Sequence, residues 1–495
     1  MKGKRFVSIG ASLLLALAFS LIFCEFNTPL GPSIGSDNAI YLTMGTAIAQ
    51  GYAPYTEIFD HKGPLLFLLQ ALPQAIAGGY STLAVFAMEA LFLFACLRVL
   101  CDLARQLRAP EFSVQIVYLA LTASLFGGGN LTEEYTSLFT LMGLDLALRA
   151  FGEQAVSPRR LTAYAAAMGA AAMLSLLLRA NNALPLLALA MGLTAFLLGR
   201  RAWAALFRCA LGFTLGLLLC ALPVVLWLAA RGALQASFYG SILHNLMYAQ
   251  TAGDSRLYML LHSGYGHAAL LMAALACAGA FALPRERRAL RPAMVVAAAA
   301  AGLAAFTSHK YYDHYLILGA PVAAMGVAAL LGRFAPSGAW RMRRAAHCVP
   351  LAVVLVSLLW LGTNGLEANH RRQQERADWP AFTADAQALY AQVPEQERES
   401  FMAYRVEPRW YVAAKALPCM RFYFLQEILA QADPAVMEEI VEEFESDPPR
   451  WLVIYYNREF GPPYDARVAA ILKSDYEFVD ARGQYQLLRL KEAGT

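Results

Sequence analysis

Residues 207–230 read FRCALGFTLGLLLCALPVVLWLAA, an apolar run whose one charge, Arg208, stands at its start. As a helix rising about 1.5 Å per residue, it is long enough to cross the roughly 30 Å hydrocarbon core of a bilayer. Comparable runs lie near 6–24, 80–101, 112–128, 135–150, 162–178, 183–198, 264–283, 292–308, 315–332 and 348–365, giving about eleven candidate spans. The third and fourth are short. Composition requires the same reading. The 495 residues are 58% hydrophobic and 15% charged, with a mean hydropathy of +0.45, and no soluble core hides that much apolar surface.

The net charge of +4 does not point to nucleic acid, because the arginines form short clusters between apolar runs rather than a basic stripe. They read as topology signals. With a cytoplasmic N-terminus, the loops on that side carry Lys2, Lys4 and Arg5; Arg105 and Arg108; Arg159 and Arg160; Arg200, Arg201 and Arg208; Arg285, Arg287, Arg288 and Arg291; and Arg333, Arg341, Arg343 and Arg344. The opposite loops hold only Lys62, Arg179, Arg231, Arg256 and Lys310. The positive-inside rule therefore predicts a multi-pass plasma-membrane protein with its C-terminus outside. The run at 6–24 could be a signal peptide, but its length and the lack of a small-x-small cleavage site favour an uncleaved first span. Seven of the eight cysteines lie in or beside apolar segments and Cys419 is alone in the polar tail, a distribution that argues against a disulfide framework or a zinc site.

Two outer segments are larger than turns. In 25–79, Gly31-Pro32, Gly51, Pro54 and Gly63-Pro64 punctuate amphipathic stretches, predicting short interfacial helices. From 366 to 495 the chain is charged and rich in Pro and Tyr. A helical pattern at 432–444 and β-like runs at Trp451–Tyr456 and Tyr485–Leu490 predict a small α/β domain there. The expected fold is a polytopic α-helical membrane module, 1–365, with a C-terminal extracytoplasmic α/β domain.

The ionisable residues outside the cation clusters collect on the outer side. Asp37 opens the run Asp37-Asn38-Ala39-Ile40-Tyr41, where it either caps a helix or serves as a general base. Asp60-His61-Lys62-Gly63-Pro64 places two charges and a histidine at one depth before an apolar helix, and Lys62 there suits a phosphate. Asp60 and His61 could also offer metal ligands, without a closed set legible from spacing. Glu133 and Glu134 follow Asn130-Leu131-Thr132 in a very short outer loop. Acids at that depth are functional candidates, though they also suit the N-terminus of a span. Arg179 lies between two spans, and Lys310, His314 and Tyr315 precede another. Snorkelling and an aromatic belt are the plain explanations; a phosphate-bearing lipid substrate is the functional one.

At these residues the chain resembles the GT-C superfamily of integral membrane glycosyltransferases, especially family 39, with its protein O-mannosyltransferases and lipid A aminoarabinose transferases. The resemblance rests on Asp37 with Tyr41, Gly51-Tyr52-Ala53-Pro54-Tyr55, the acid-x-Lys-x-Pro-Leu segment from Asp60 to Leu65, Glu133 and Glu134, His314-Tyr315, and Glu407-Pro408-Arg409-Trp410-Tyr411 in the outer domain. It implies inverting transfer of a sugar from a polyprenyl-phosphate donor to an extracytoplasmic glycolipid, polymer or protein. Asp37 with Glu133 or Glu134 would be catalytic, and Lys62, Arg179, Lys310 and His314 would bind the donor phosphate. Tyr41, Tyr55, Asp60, His61 and Tyr315 would contact substrate. No cofactor is implied with certainty, and a divalent metal is possible. The chain departs from the commoner family patterns at Asn38, where many members have Glu, and at His61-Lys62-Gly63-Pro64, where many have Glu-Lys-Pro-Pro. The rival reading is a secondary transporter or lipid flippase, which predicts charges near the bilayer midplane and related halves.

Overall fold

The computed structural model describes residues 2–26, 31–151, 157–249, 255–307, 310–334, 340–424, 426–455 and 465–492. Helix α1 (Lys2–Phe23) leads to α2 (Ser36–Ala49) and α3 (Pro64–Ala77). These are followed by α4 (Thr82–Leu107), α5 (Glu111–Ala123), α6 (Thr132–Ala150), α7 (Pro158–Leu178), α8 (Leu184–Gly199) and α9 (Trp203–Ala230). Next, α10 (Leu234–Phe238) continues through a π-helical turn, Tyr239–His244, into α11 (Asn245–Tyr248). The chain proceeds through α12 (Arg256–His262), α13 (Gly264–Ala282), α14 (Arg291–Ala305), α15 (Ala320–Gly332) and the 51-residue α16 (Trp340–Tyr390). The tail adds α17 (Arg409–Ala414), α18 (Gln426–Ala432), α19 (Ala435–Ser446) and α20 (Ala466–Asp475) with four strands, β1 (Phe401–Ala403), β2 (Trp451–Tyr455), β3 (Tyr476–Arg482) and β4 (Tyr485–Leu490).

Each of the eleven apolar runs carries a helix. Among the described residues nine helical segments are long and apolar enough to cross a membrane. The other two are α5, apolar but 13 residues long, and α6, whose 19 residues include Glu133, Glu134, Asp145 and Arg149. Contacts divide the chain into two compact units: Met1–Cys24, Phe86–Val225 and Ala252–Arg371 in the first, and Glu25–Val85, Leu226–Thr251 and Arg372–Thr495 in the second.

In the first unit α13 crosses α15 at backbone contact. A Cβ on Gly279 would lie 2.1 Å from Gly326 Cα, and one on Gly326 would lie 2.3 Å from the Leu275 carbonyl oxygen. Small residues gain stability in lipid this way, since apolar side chains feel no hydrophobic drive toward each other there. Gly326→Leu is therefore expected to lower the melting temperature of the detergent-purified protein by several degrees; an unchanged melting curve would refute the close crossing. Helices α1, α4 and α5 are joined by polar groups instead. Arg98 donates to Ser8 Oγ at 3.0 Å and Ser12 Oγ at 3.2 Å, while Ser8 donates to Glu111 Oε2 at 2.7 Å. In a water-poor surrounding such groups must satisfy one another, which fixes how α1 is rotated.

In the second unit α2 packs on α3, where a Cβ on Gly45 would meet Gln70 Cβ at 2.5 Å. Residues 38–48 of α2 are buried without a break, so α2 is encased in protein and is not the one-sided interfacial helix expected from its loop. Part of its cover comes from the tail, where Tyr423 donates to the Ile40 carbonyl at 3.1 Å. The tail sheet has the order β1-β2-β4-β3, with β1 parallel to β2 and the other pairs antiparallel. Strands β2 and β4 lie where the β-like runs predicted them; Tyr456 falls outside the described residues. Three-residue β1 and largely exposed β3 are too short or too polar to announce themselves. The helical pattern expected at 432–444 appears as α19, and α16 passes position 366 unbroken to Tyr390.

Candidate functional site

The second unit holds the cluster built on α2 and the 50–63 loop. Asp37 does not cap α2. The N-cap is Gly35, with extended backbone, and Asp37 is the second helical residue and exposed. One turn further, Tyr41 lies on the same helix face and is buried, with its ring centre 6.0 Å from Lys62 Nζ. Lys62 in turn stands 3.0 Å from His61 Nε2. An ammonium has only protons to give, so Nε2 accepts and the His61 proton sits on Nδ1, which faces Asp60 Oδ1 at 3.1 Å. Burial works to raise Asp60, but the adjacent His61 and Lys62 outweigh it and hold the carboxyl below its usual range. Asp60, His61 and Lys62 thus form one charge-coupled row, with the ammonium at its end.

Two features hold this row in place. Tyr55, with a φ of +66°, turns the loop back on itself and donates its hydroxyl to the Lys62 carbonyl at 2.8 Å. It is wholly buried and braces the loop. Arg421, from the tail, donates to the Tyr55 carbonyl at 2.7 Å and is itself held by both oxygens of Glu439. The helix from Leu234 to Tyr248 supplies the rest. Asn245 donates to the His61 carbonyl at 2.5 Å, and the His244 ring lies 5.9 Å from that of His61. His244 has no exposed surface, and neither ring nitrogen has a hydrogen-bond partner among the described residues. Burial, reinforced by the neighbouring His61, pushes it down to about 4, so it is a neutral imidazole at pH 7.

The first unit holds a different cluster, at the N-terminus of α6. Glu133 and Glu134 are neighbours on a helix and therefore point about 100° apart. Glu133 is buried and paired, accepting from Arg179 Nη1 at 2.9 Å and Thr132 Oγ1 at 2.8 Å. Arg179 lies where α7 ends in extended backbone, and its Nη2 donates to the Tyr315 hydroxyl at 3.0 Å. The His314 ring is 4.7 Å from that of Tyr315 and lies within electrostatic reach of Glu133. Next to Arg179, Asn182 ties to Thr136 at 3.1 Å. Glu134 is buried on the other side, and its two carboxylate oxygens have no hydrogen-bond partner among the described residues. Lys310 is half-buried ahead of His314; His309 falls outside the described residues.

The structure therefore groups Tyr41, Asp60, His61 and Lys62 in one unit, and Glu133, Arg179, His314 and Tyr315 in the other. Sequence reading missed Glu25, whose carboxylate accepts from the Gly35 N–H and the Asn38 amide, as well as His244, Asn245 and Arg421. Only the 234–246 stretch offered a signal: Leu234, Phe238, Leu243 and Leu246 are exposed while Ser237 and His244 face inward, a helical period turned inside out. The ammonium of Lys62 lies next to His61 Nε2. Among the described residues no group of three or more His, Cys, Asp or Glu could hold a metal ion.

No family model matches the sequence, and no curated protein sequence matches it. Solved structures do. ArnT from Cupriavidus metallidurans bound to undecaprenyl phosphate is similar with a TM-score of 0.62 at 15% identity, over 100% of this chain and 99% of that one. The apo state of ArnT gives 0.61 at 15% identity, over 99% and 98%. Arabinofuranosyltransferase AftD from mycobacteria gives 0.54 at 14% identity, covering 98% of this chain and 40% of AftD. At these identities the likeness is one of fold, and it runs from α1 through the tail domain. The chain shares the fold of these two proteins.

Proposed function

We propose that this protein is a membrane glycosyltransferase that moves a sugar from a polyprenyl-phosphate donor to an extracytoplasmic acceptor. The observation that carries the reading is the whole-length likeness to ArnT, a protein seen with undecaprenyl phosphate bound. The local chemistry supports it. An acceptor hydroxyl oxygen bonds to the anomeric carbon while the bond from that carbon to the phosphate oxygen breaks with its electron pair. Asp37, an exposed carboxylate, takes the hydroxyl proton. Lys62, in the same unit as Asp37, meets the charge that grows on the departing phosphate as a point charge. Attack opposite the phosphate inverts the anomeric carbon. The arginine distribution supports a cytoplasmic N-terminus, with the tail domain and the reaction on the other side.

The test uses the full-length protein in nanodiscs with radiolabelled undecaprenyl-phosphate hexoses and pentoses, scoring donor consumption and transfer to envelope extracts. One donor is expected to be consumed, with label appearing on acceptor. Absence of donor binding and consumption, together with solute or lipid movement in proteoliposomes, would replace this reading with a transporter.

A further inference from the structure

An N-cap acceptor ordinarily comes from a residue beside the helix. In α2 the N-cap Gly35 has no side chain to offer, and its own N–H is held by Glu25, ten residues upstream. Its Oε2 accepts from the Gly35 N–H at 2.7 Å and from Asn38 Nδ2 at 2.7 Å, and its own carbonyl accepts from the Ser33 N–H at 3.1 Å. Gly35 leaves room for this approach, since a Cβ there would stand 3.0 Å from Glu25 Oε1. One carboxylate thus ties both the backbone before α2 and a side chain of its first turn, and Asp37 lies between those two attachment points. We propose that Glu25 is a positioning residue for Asp37, clamping the first turn of α2 so that the Asp37 carboxylate keeps one orientation. This rests on the reading of Asp37 as the base.

The identity of residue 38 fits the clamp. An amide there can donate to Glu25; a carboxylate at 38 would face the Glu25 carboxylate and repel it. Gly35 and Asn38 face Glu25 from the α2 side, and Arg372 and Glu375 from α16. Burial outweighs the hydrogen bonds and Arg372, and pushes the Glu25 carboxyl up to about 7. An ionised carboxylate accepts both bonds and suits the positive end of the helix. Protonation weakens the clamp, so turnover is expected to fall as pH drops through about 7.

The experiment compares E25Q, E25A and D37N in the full-length protein in nanodiscs. It uses the undecaprenyl-phosphate sugar that the panel shows to be consumed, across pH 5.5 to 9, with hydrogen exchange of residues 36–40 measured alongside. Small displacements of a reacting group can cost up to about a hundredfold in rate. E25A is expected to lower kcat about tenfold or more, leave the donor KM within about twofold, and speed exchange in the first turn of α2. E25Q, which keeps one acceptor oxygen, is expected to retain more turnover but lose the acid limb near pH 7. An inactive D37N beside E25A and E25Q with wild-type kcat and pH profile would overturn the role of Glu25 alone. An active D37N would overturn the reading of Asp37 and the Glu25 proposal with it. If E25A fails to fold, the E25Q profile decides.

Discussion

Asp37→Asn is expected to leave the protein folded and able to bind donor while lowering kcat by about 10²–10⁴-fold, the range a positioned general base supplies. The exposed side chain makes this a clean substitution, because nothing packed is removed and an amide of the same size takes the place of the carboxylate. Gly35 is the N-cap and Asp37 makes no cap hydrogen bond, so no helix cap is lost and stability should hold within about 0.5 kcal/mol, as for a surface change. The measurement is turnover of the panel's donor beside donor affinity by filter binding. Lost turnover with retained affinity identifies a group that acts in the transition state; lost affinity would move Asp37 to donor recognition instead.

Arg179→Met should be the most damaging change in the first unit, for two separable reasons. Activity is expected to fall about a hundredfold or more, because the family resemblance makes Arg179 a cation for the donor phosphate. Stability is expected to fall by about 3–5 kcal/mol because Glu133, 2% exposed at its side chain, is left charged and without its ion pair. The double variant R179M/E133Q separates the two effects. Neutralising Glu133 removes the stranded charge, so the melting temperature should recover while turnover stays low. Recovery of both would show that the pair only holds helices together, and recovery of neither would show that Arg179 packs through Tyr315 rather than through Glu133.

How far the sites were legible follows from the range of the interactions that make them. The row from Asp60 to Lys62 is contiguous in sequence, and its neighbours could be read as one group before any fold was known. Glu133 and Glu134 are also adjacent, yet sequence could not choose between them. That choice depends on which neighbour lies on each side of α6, and Arg179, 46 residues away, settles it in favour of pairing Glu133. Asp37 was found by position with capping and catalysis both open; the structure makes Gly35 the N-cap and holds it through Glu25, for which no local pattern exists. The bracing of Tyr55 was not legible either, because Arg421, which holds its carbonyl, lies 366 residues away.

What the sequence by itself determined is the set of helices and the membrane they cross. Apolarity sustained over about twenty residues is a property of one segment, and lipid answers it without reference to any other part of the chain. Two of the four tail strands were readable for the same reason. Only the tertiary structure decided that α2 is encased, that Glu25 clamps it, that His244 turns inward, and which buried acid is paired. Each of those outcomes depends on contacts between residues distant in sequence, and a buried polar group meets its neighbours only when the fold brings them within a few ångströms, about 3 Å for a hydrogen bond.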